Sequence, residues 1–166
     1  MDAIVEDLIS IIASEIDAFK QLLKTLHEKQ RAIVEGQTER LNKYVQSENK
    51  LANKTKAIET ERLAKTKELA EKLSLDDLNP RLSKIIEKVE GKYAERLREQ
   101  RDLLMSLVEK IRTLNKSNQF LLNYSLRFIE KSMKILLGGN DKASIYQEDG
   151  KLQTRVGKYK MLDHSI

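Results

Sequence analysis

The chain has 166 residues, one proline, no cysteine, and a net charge of +5 from 31 basic and 26 acidic side chains. That length suits a single core, and the missing cysteine excludes disulfides, thiolate metal sites and cysteine nucleophiles. A charged fraction of 34% with 5% aromatic residues fits long solvated helices better than a β-rich globule, so the expected class is all-α.

The chain opens Met1-Asp2-Ala3-Ile4-Val5-Glu6-Asp7, acidic where a secretory leader is basic, and no apolar run approaches the ~18 residues of a membrane span. A cytoplasmic protein without stable membrane insertion is expected. From Asp2 to Glu35 the residues Ile4, Leu8, Ile12, Ile16, Phe19, Leu23, Leu26 and Ile33 recur at helical spacing, predicting one helix with a single buried stripe, capped by Asp2. Gly36 supplies a left-handed stop, and Thr38 is the expected N-cap of a second helix reaching about Leu73. So short a connection implies antiparallel neighbours.

The second helix keeps Leu41, Val45, Leu51, Ile58, Leu69 and Leu73 but is otherwise rich in glutamate and lysine, so only a narrow seam is expected to be buried. Ser74-Leu75-Asp76-Asp77 resembles a capping box, and Asn79-Pro80 reads as an N-cap followed by proline at the first helical position. From Arg81 the pattern Leu82, Ile86, Val89, Tyr93, Leu97, Leu104, Leu107, Ile111, Leu114, Asn118 and Leu121 predicts a third helix as far as Leu137, bent at most by Gly91. The expectation is an antiparallel bundle of three long helices over residues 1–137, the third longest and overhanging, followed by a mobile C-terminal tail over residues 138–166.

The overhang should be polar if it stood in water, yet Ser117 to Leu137 is the most apolar segment of the chain, with Phe120, Leu122, Tyr124, Leu126, Phe128 and Ile129 among its residues. Its apolar side chains cover an arc of roughly 220° on a helical wheel, about twice what one packing partner requires. Asn115, Asn118 and Ser125 lie near the centre of the stripe, where amides and a hydroxyl can set register through hydrogen bonds to a partner. Two other arrangements fit the same pattern. In one, the helix bends near Gly91 or Asn115 and buries this face in a four-helix core. In the other, the chain is a homodimeric coiled-coil scaffold.

Enzymatic activity is not expected. His27 and His164 are the sole histidines, and no phosphate-binding glycine loop or carboxylate-histidine cluster is present, so no cofactor or metal is predicted. Nucleic-acid binding is not expected either, because Arg96, Arg98 and Arg101 are diluted by Glu95, Glu99 and Asp102.

The run Leu114-Asn115-Lys116-Ser117-Asn118-Gln119-Phe120-Leu121-Leu122-Asn123-Tyr124-Ser125-Leu126-Arg127-Phe128-Ile129 resembles the hallmark of the FlgN family of flagellar type III export chaperones, framed as N-x-x-N-x-x-L-L-x-x-S-L-x-F-I. Glu15, Phe19 and Leu22 in the first helix, the Gly36 break, Glu59-x-Glu61-Arg62, and Tyr146 with Gly150 agree with it. The resemblance implies a non-catalytic chaperone that binds the C-terminal segments of the hook-filament junction proteins FlgK and FlgL and helps deliver them to the export gate. It implies cargo contacts at Asn115, Asn118 and Leu126, and docking of Tyr146 to the gate protein FlhA. Physically, an amphipathic cargo segment would be shielded against Leu121, Leu122, Ser125, Leu126, Ile129 and Met133. The chain itself is expected as a monomer or weak homodimer.

Overall fold

The computed structural model describes residues 2–75 and 80–137, and among these the chain is entirely helical. Four helices follow one another: α1 (Asp2–Val34), α2 (Thr38–Lys72), α3 (Leu82–Lys88) and α4 (Gly91–Leu136). By contact the chain divides into two compact units, Met1–Tyr124 and Ser125–Ile166. Of the second, the described part is the last turns of α4.

α1 lies at the centre of the first unit. Its ion pairs to α2 join Asp7 to Lys65, Glu15 to Arg62 and Lys29 to Glu48, so the two helices run antiparallel. Contacts to α4 ascend together instead: Glu6 with Arg96, Ile9 with Gln100, and Leu26 with Asn118. α1 and α4 are therefore parallel, as two chain reversals demand.

The reversal between α1 and α2 is a Schellman motif. Gly36 at φ 65° donates its N–H to the Ile33 carbonyl (3.2 Å), and Gln37 donates to Ala32 (2.9 Å). Asp2 sits within the first turn of α1 rather than before it, and Gln37, not Thr38, is the N-cap residue of α2, with no side-chain cap. The end of α2 repeats the motif with Ser74 at φ 53°: its N–H reaches Glu71 (3.1 Å) and that of Leu75 reaches Ala70 (3.0 Å). Leu75 then packs against the core, the hydrophobic contact that usually accompanies such a cap. The capping-box carboxylates Asp76 and Asp77, and the N-cap expected at Asn79, lie outside the described residues.

The expected third helix is two. α3 ends at Lys88 because Val89 is extended (φ −90°, ψ 137°) and Gly91 adopts φ 62°, a conformation outside the right-handed helical basin. The periodicity continues across the break, which is why the sequence conceals it. Pro80 also precedes the helix instead of occupying its first position, since Arg81 is the N-cap residue of α3.

The larger core cluster gathers Val5, Leu8, Ile12, Leu69, Ile85 and Leu97, and a smaller one joins Leu22 and Leu26 to Ile111 and Leu114. α2 buries only Thr55, Thr66, Leu69 and Ala70. Both threonines are satisfied within their own helix, Thr66 donating to the Arg62 carbonyl (2.7 Å) and Thr55 to Ala52 (2.9 Å). Val45, expected in the seam, is exposed instead.

Glu15 is the most deeply buried ionisable side chain among the described residues. It is 1% exposed and accepts a hydrogen bond from Arg62 Nε at 2.7 Å. Burial raises its pKa above the ordinary carboxylate value, outweighing the opposing pull of the Arg62 guanidinium. A carboxyl with a raised folded-state pKa binds its proton more tightly folded than unfolded, so it erodes stability as pH climbs from 4.5 through the raised value. Arg62→Leu strands this carboxylate, and denaturant titration at neutral pH should show a loss of about 3 kcal/mol that shrinks on acidification and is largely recovered by adding Glu15→Leu. At the cap of α2, Ser74→Gly should stabilise the chain by about 1 kcal/mol by removing the cost of a left-handed serine; an unchanged denaturation midpoint would count against the cap geometry.

Candidate functional site

α4 carries the chain's sequence-specific run, and its residues divide by angular position. Helical spacing at 3.6 residues per turn places Gln100, Leu107, Ile111 and Asn118 within an arc of about 40°. These side chains face α1, and Leu107, Ile111 and Asn118 are buried. Side chains bridge the two helices.

Two carboxamides do so in the same way. Gln100 Nε2 donates to the Ile9 carbonyl (3.1 Å) and Asn118 Nδ2 to the Leu26 carbonyl (3.0 Å). Their positions differ by five helical turns on α4 and nearly five on α1, which a parallel pair requires. In both, the amide oxygen is buried without a hydrogen-bond partner. Each bridge therefore carries a desolvation cost along with its bond.

Asn118, which the sequence places near the centre of the stripe together with Asn115, is 1% exposed and turned toward α1, while Asn115 is exposed. Leu121, Leu122 and Ser125 are half-buried. Leu126, Ile129 and Met133 stand open at 58, 52 and 53% exposure. The helix is unbroken at Asn115 and does not bury this face in a four-helix core.

A shallow depression of about 400 Å³ lies between α1 and α4, lined by Leu23, His27, Thr113, Leu114 and Ser117. Gln30 Nε2 donates to Ser117 Oγ at 2.9 Å beside it. His27 is exposed, and no group of three metal-ligating side chains occurs among the described residues. Tyr146 lies outside the described residues, as does the whole of 138–166. No helix among the described residues is long and apolar enough to cross a membrane.

The family model described as FlgN protein matches residues 1–154. The chain belongs to the FlgN family. FlgN proteins are flagellar export chaperones, a class defined by protein binding and not by catalysis. Neither a curated protein nor a solved structure matches the chain.

Sequence reasoning missed Gln100, whose signal was available: it stands in phase with Asn118, a polar pair on an otherwise apolar stripe. It also merged two apolar surfaces of α4 into one broad arc. Asn118→Ala should cost about 1 to 3 kcal/mol in urea denaturation, since it removes a buried bond and leaves a void. Asn115→Ala, on an exposed position, should stay within about 0.5 kcal/mol of wild type; equal effects would contradict the burial assigned to Asn118.

Proposed function

We propose that this FlgN-family chain is a cytoplasmic chaperone that holds the C-terminal segments of FlgK and FlgL before export and helps deliver them to the gate. The observation that carries the reading is the exposure of Leu126, Ile129 and Met133 at helical spacing along the last turns of α4. A stripe with the chemistry of a helix interface and no partner among the described residues favours a segment that completes it.

The mechanism is shielding. An amphipathic segment of cargo lays its apolar side along Leu122, Leu126, Ile129 and Met133, with Ser125 at the edge of this face offering a hydroxyl for register. Covering each fully exposed side chain of this size is worth about 1.5 to 3 kcal/mol, against which the cargo's ordering entropy must be set. The difference yields moderate affinity, which suits a chaperone that must release its client. Asn118 contributes indirectly by fixing α4 against α1, and Asn115 lies at the open edge of the face. Gate docking through Tyr146 to FlhA rests on the sequence resemblance alone.

Pull-down with C-terminal fragments of FlgK and FlgL from the same organism tests the face. Combined Leu126→Ala, Ile129→Ala and Met133→Ala should weaken capture about a hundredfold, a loss of roughly 2.7 kcal/mol, without altering the circular dichroism spectrum. Undiminished capture by this variant removes the site, and a stable dimer indifferent to both fragments would favour a scaffold instead.

A further inference from the structure

The end of α4 exposes a second apolar stripe that the cargo face leaves uncovered. Phe120, Tyr124 and Phe128 recur every four residues and stand open at 70, 65 and 65%, and Ile135 continues their line. On a wheel of 100° per residue this stripe is centred about 165° from that of Leu122, Leu126, Ile129 and Met133. One docked helix covers an arc of little more than 100°. A single occupant of the cargo face therefore cannot reach the aromatic one.

The charges beside the stripe say what would cover it. Between Asn115 and Leu137 the cations are Lys116, Arg127, Lys131 and Lys134, and the sole carboxylate is Glu130. All four cations are exposed and fall within about 60° of one another, along one flank of the aromatic stripe. A second copy of the chain would set this basic flank against its own likeness in an antiparallel pairing, and a parallel pairing sets it against the other flank of the stripe, where Leu121, Ser125 and Ser132 offer no negative charge. Residues 138–166 hold five basic and four acidic residues, so the chain's own tail offers no surplus of negative charge either.

We infer that the Phe120-Tyr124-Phe128 stripe is a second docking surface, separate from the cargo face, for an amphipathic helix of a partner protein whose apolar seam is edged by carboxylates. Aromatic side chains anchor such contacts at low conformational cost, and the basic flank sets the direction and charge of the partner. From Phe120 to Ile135 the surface extends about 22 Å, so roughly four turns of partner helix fill it. With both stripes occupied, α4 lies between two helices, and one chaperone holds two segments at once.

Fluorescence anisotropy with the full chain tests this, using as probes two labelled synthetic four-turn helices with the same leucine seam, one edged with glutamate and the other with lysine. The glutamate probe should bind at least about tenfold more tightly than the lysine probe, and the preference should weaken as salt is added. Phe120→Ser, Tyr124→Ser and Phe128→Ser together should abolish glutamate-probe binding. Arg127→Glu, Lys131→Glu and Lys134→Glu together should invert the preference, and as surface changes they keep the test valid if the aromatic variant fails to fold. The Leu126→Ala, Ile129→Ala, Met133→Ala variant should retain glutamate-probe affinity within about twofold, whatever becomes of its FlgK and FlgL binding, so failure of the cargo reading and failure of this one are told apart. Equal affinity for the two probes overturns the proposal. So does loss of glutamate-probe binding in the cargo-face variant, or a dimer in sizing chromatography that the aromatic variant dissolves.

Discussion

The hydrogen bond from Asn118 to the carbonyl of Leu26 decides where α4 stops being core. Before it, the helix buries Leu107, Ile111 and Leu114. After it, no residue of α4 is fully buried. A carbonyl inside a helix already serves its own ladder, so the amide takes up a spare lone pair and needs no break in α1. Together with the matching bond from Gln100 to Ile9, it fixes both the register and the parallel sense of the two helices. Leucine-rich seams slide past one another with little penalty, whereas two amides five turns apart satisfy only one alignment.

That bond also shows what was legible in the sequence and what was not. The all-helical class, the stripe of α1 and the stop at Gly36 are local properties, set by period and by one glycine. The break before Gly91 was not readable, because Leu82, Ile86, Val89 and Tyr93 keep a helical spacing on both sides of it, and periodicity reports which residues face the core without reporting that the backbone is continuous. Asn118 illustrates a similar limit. Its position on the buried arc was apparent, but whether an amide on that arc meets a cargo or the neighbouring helix depends on how far α1 extends alongside. The site was legible as a composition, a cluster of exposed apolar and aromatic residues, and not as a geometry. Only the angular positions of the exposed side chains separate the Leu126 face from the Phe120 face.

The polar interior obeys a rule of its own. Glu15, Gln100 and Asn118 all project into the interfaces made by α1, and each is bonded on one side only or held at an energetic cost. Replacing such groups by leucine often raises stability, while their retention favours one arrangement among many of similar hydrophobicity. A chaperone that exposes an apolar helix face has particular need of that discrimination, since its own helices compete with a client helix for the same seams.

α2 buries very little, and its burial is uneven along its length. Thr55, Thr66, Leu69 and Ala70 all belong to the second half, where Arg62 and Lys65 also reach back to α1. The first half, from Thr38 to Glu48, has no fully buried residue and is tied to α1 by the Lys29–Glu48 pair, a Tyr44–Glu28 contact and partly covered leucine. Its amides should open at far less than the global unfolding energy. The half of α2 from Thr38 to Glu48 is therefore the part whose opening would uncover the flank of α1 beneath it.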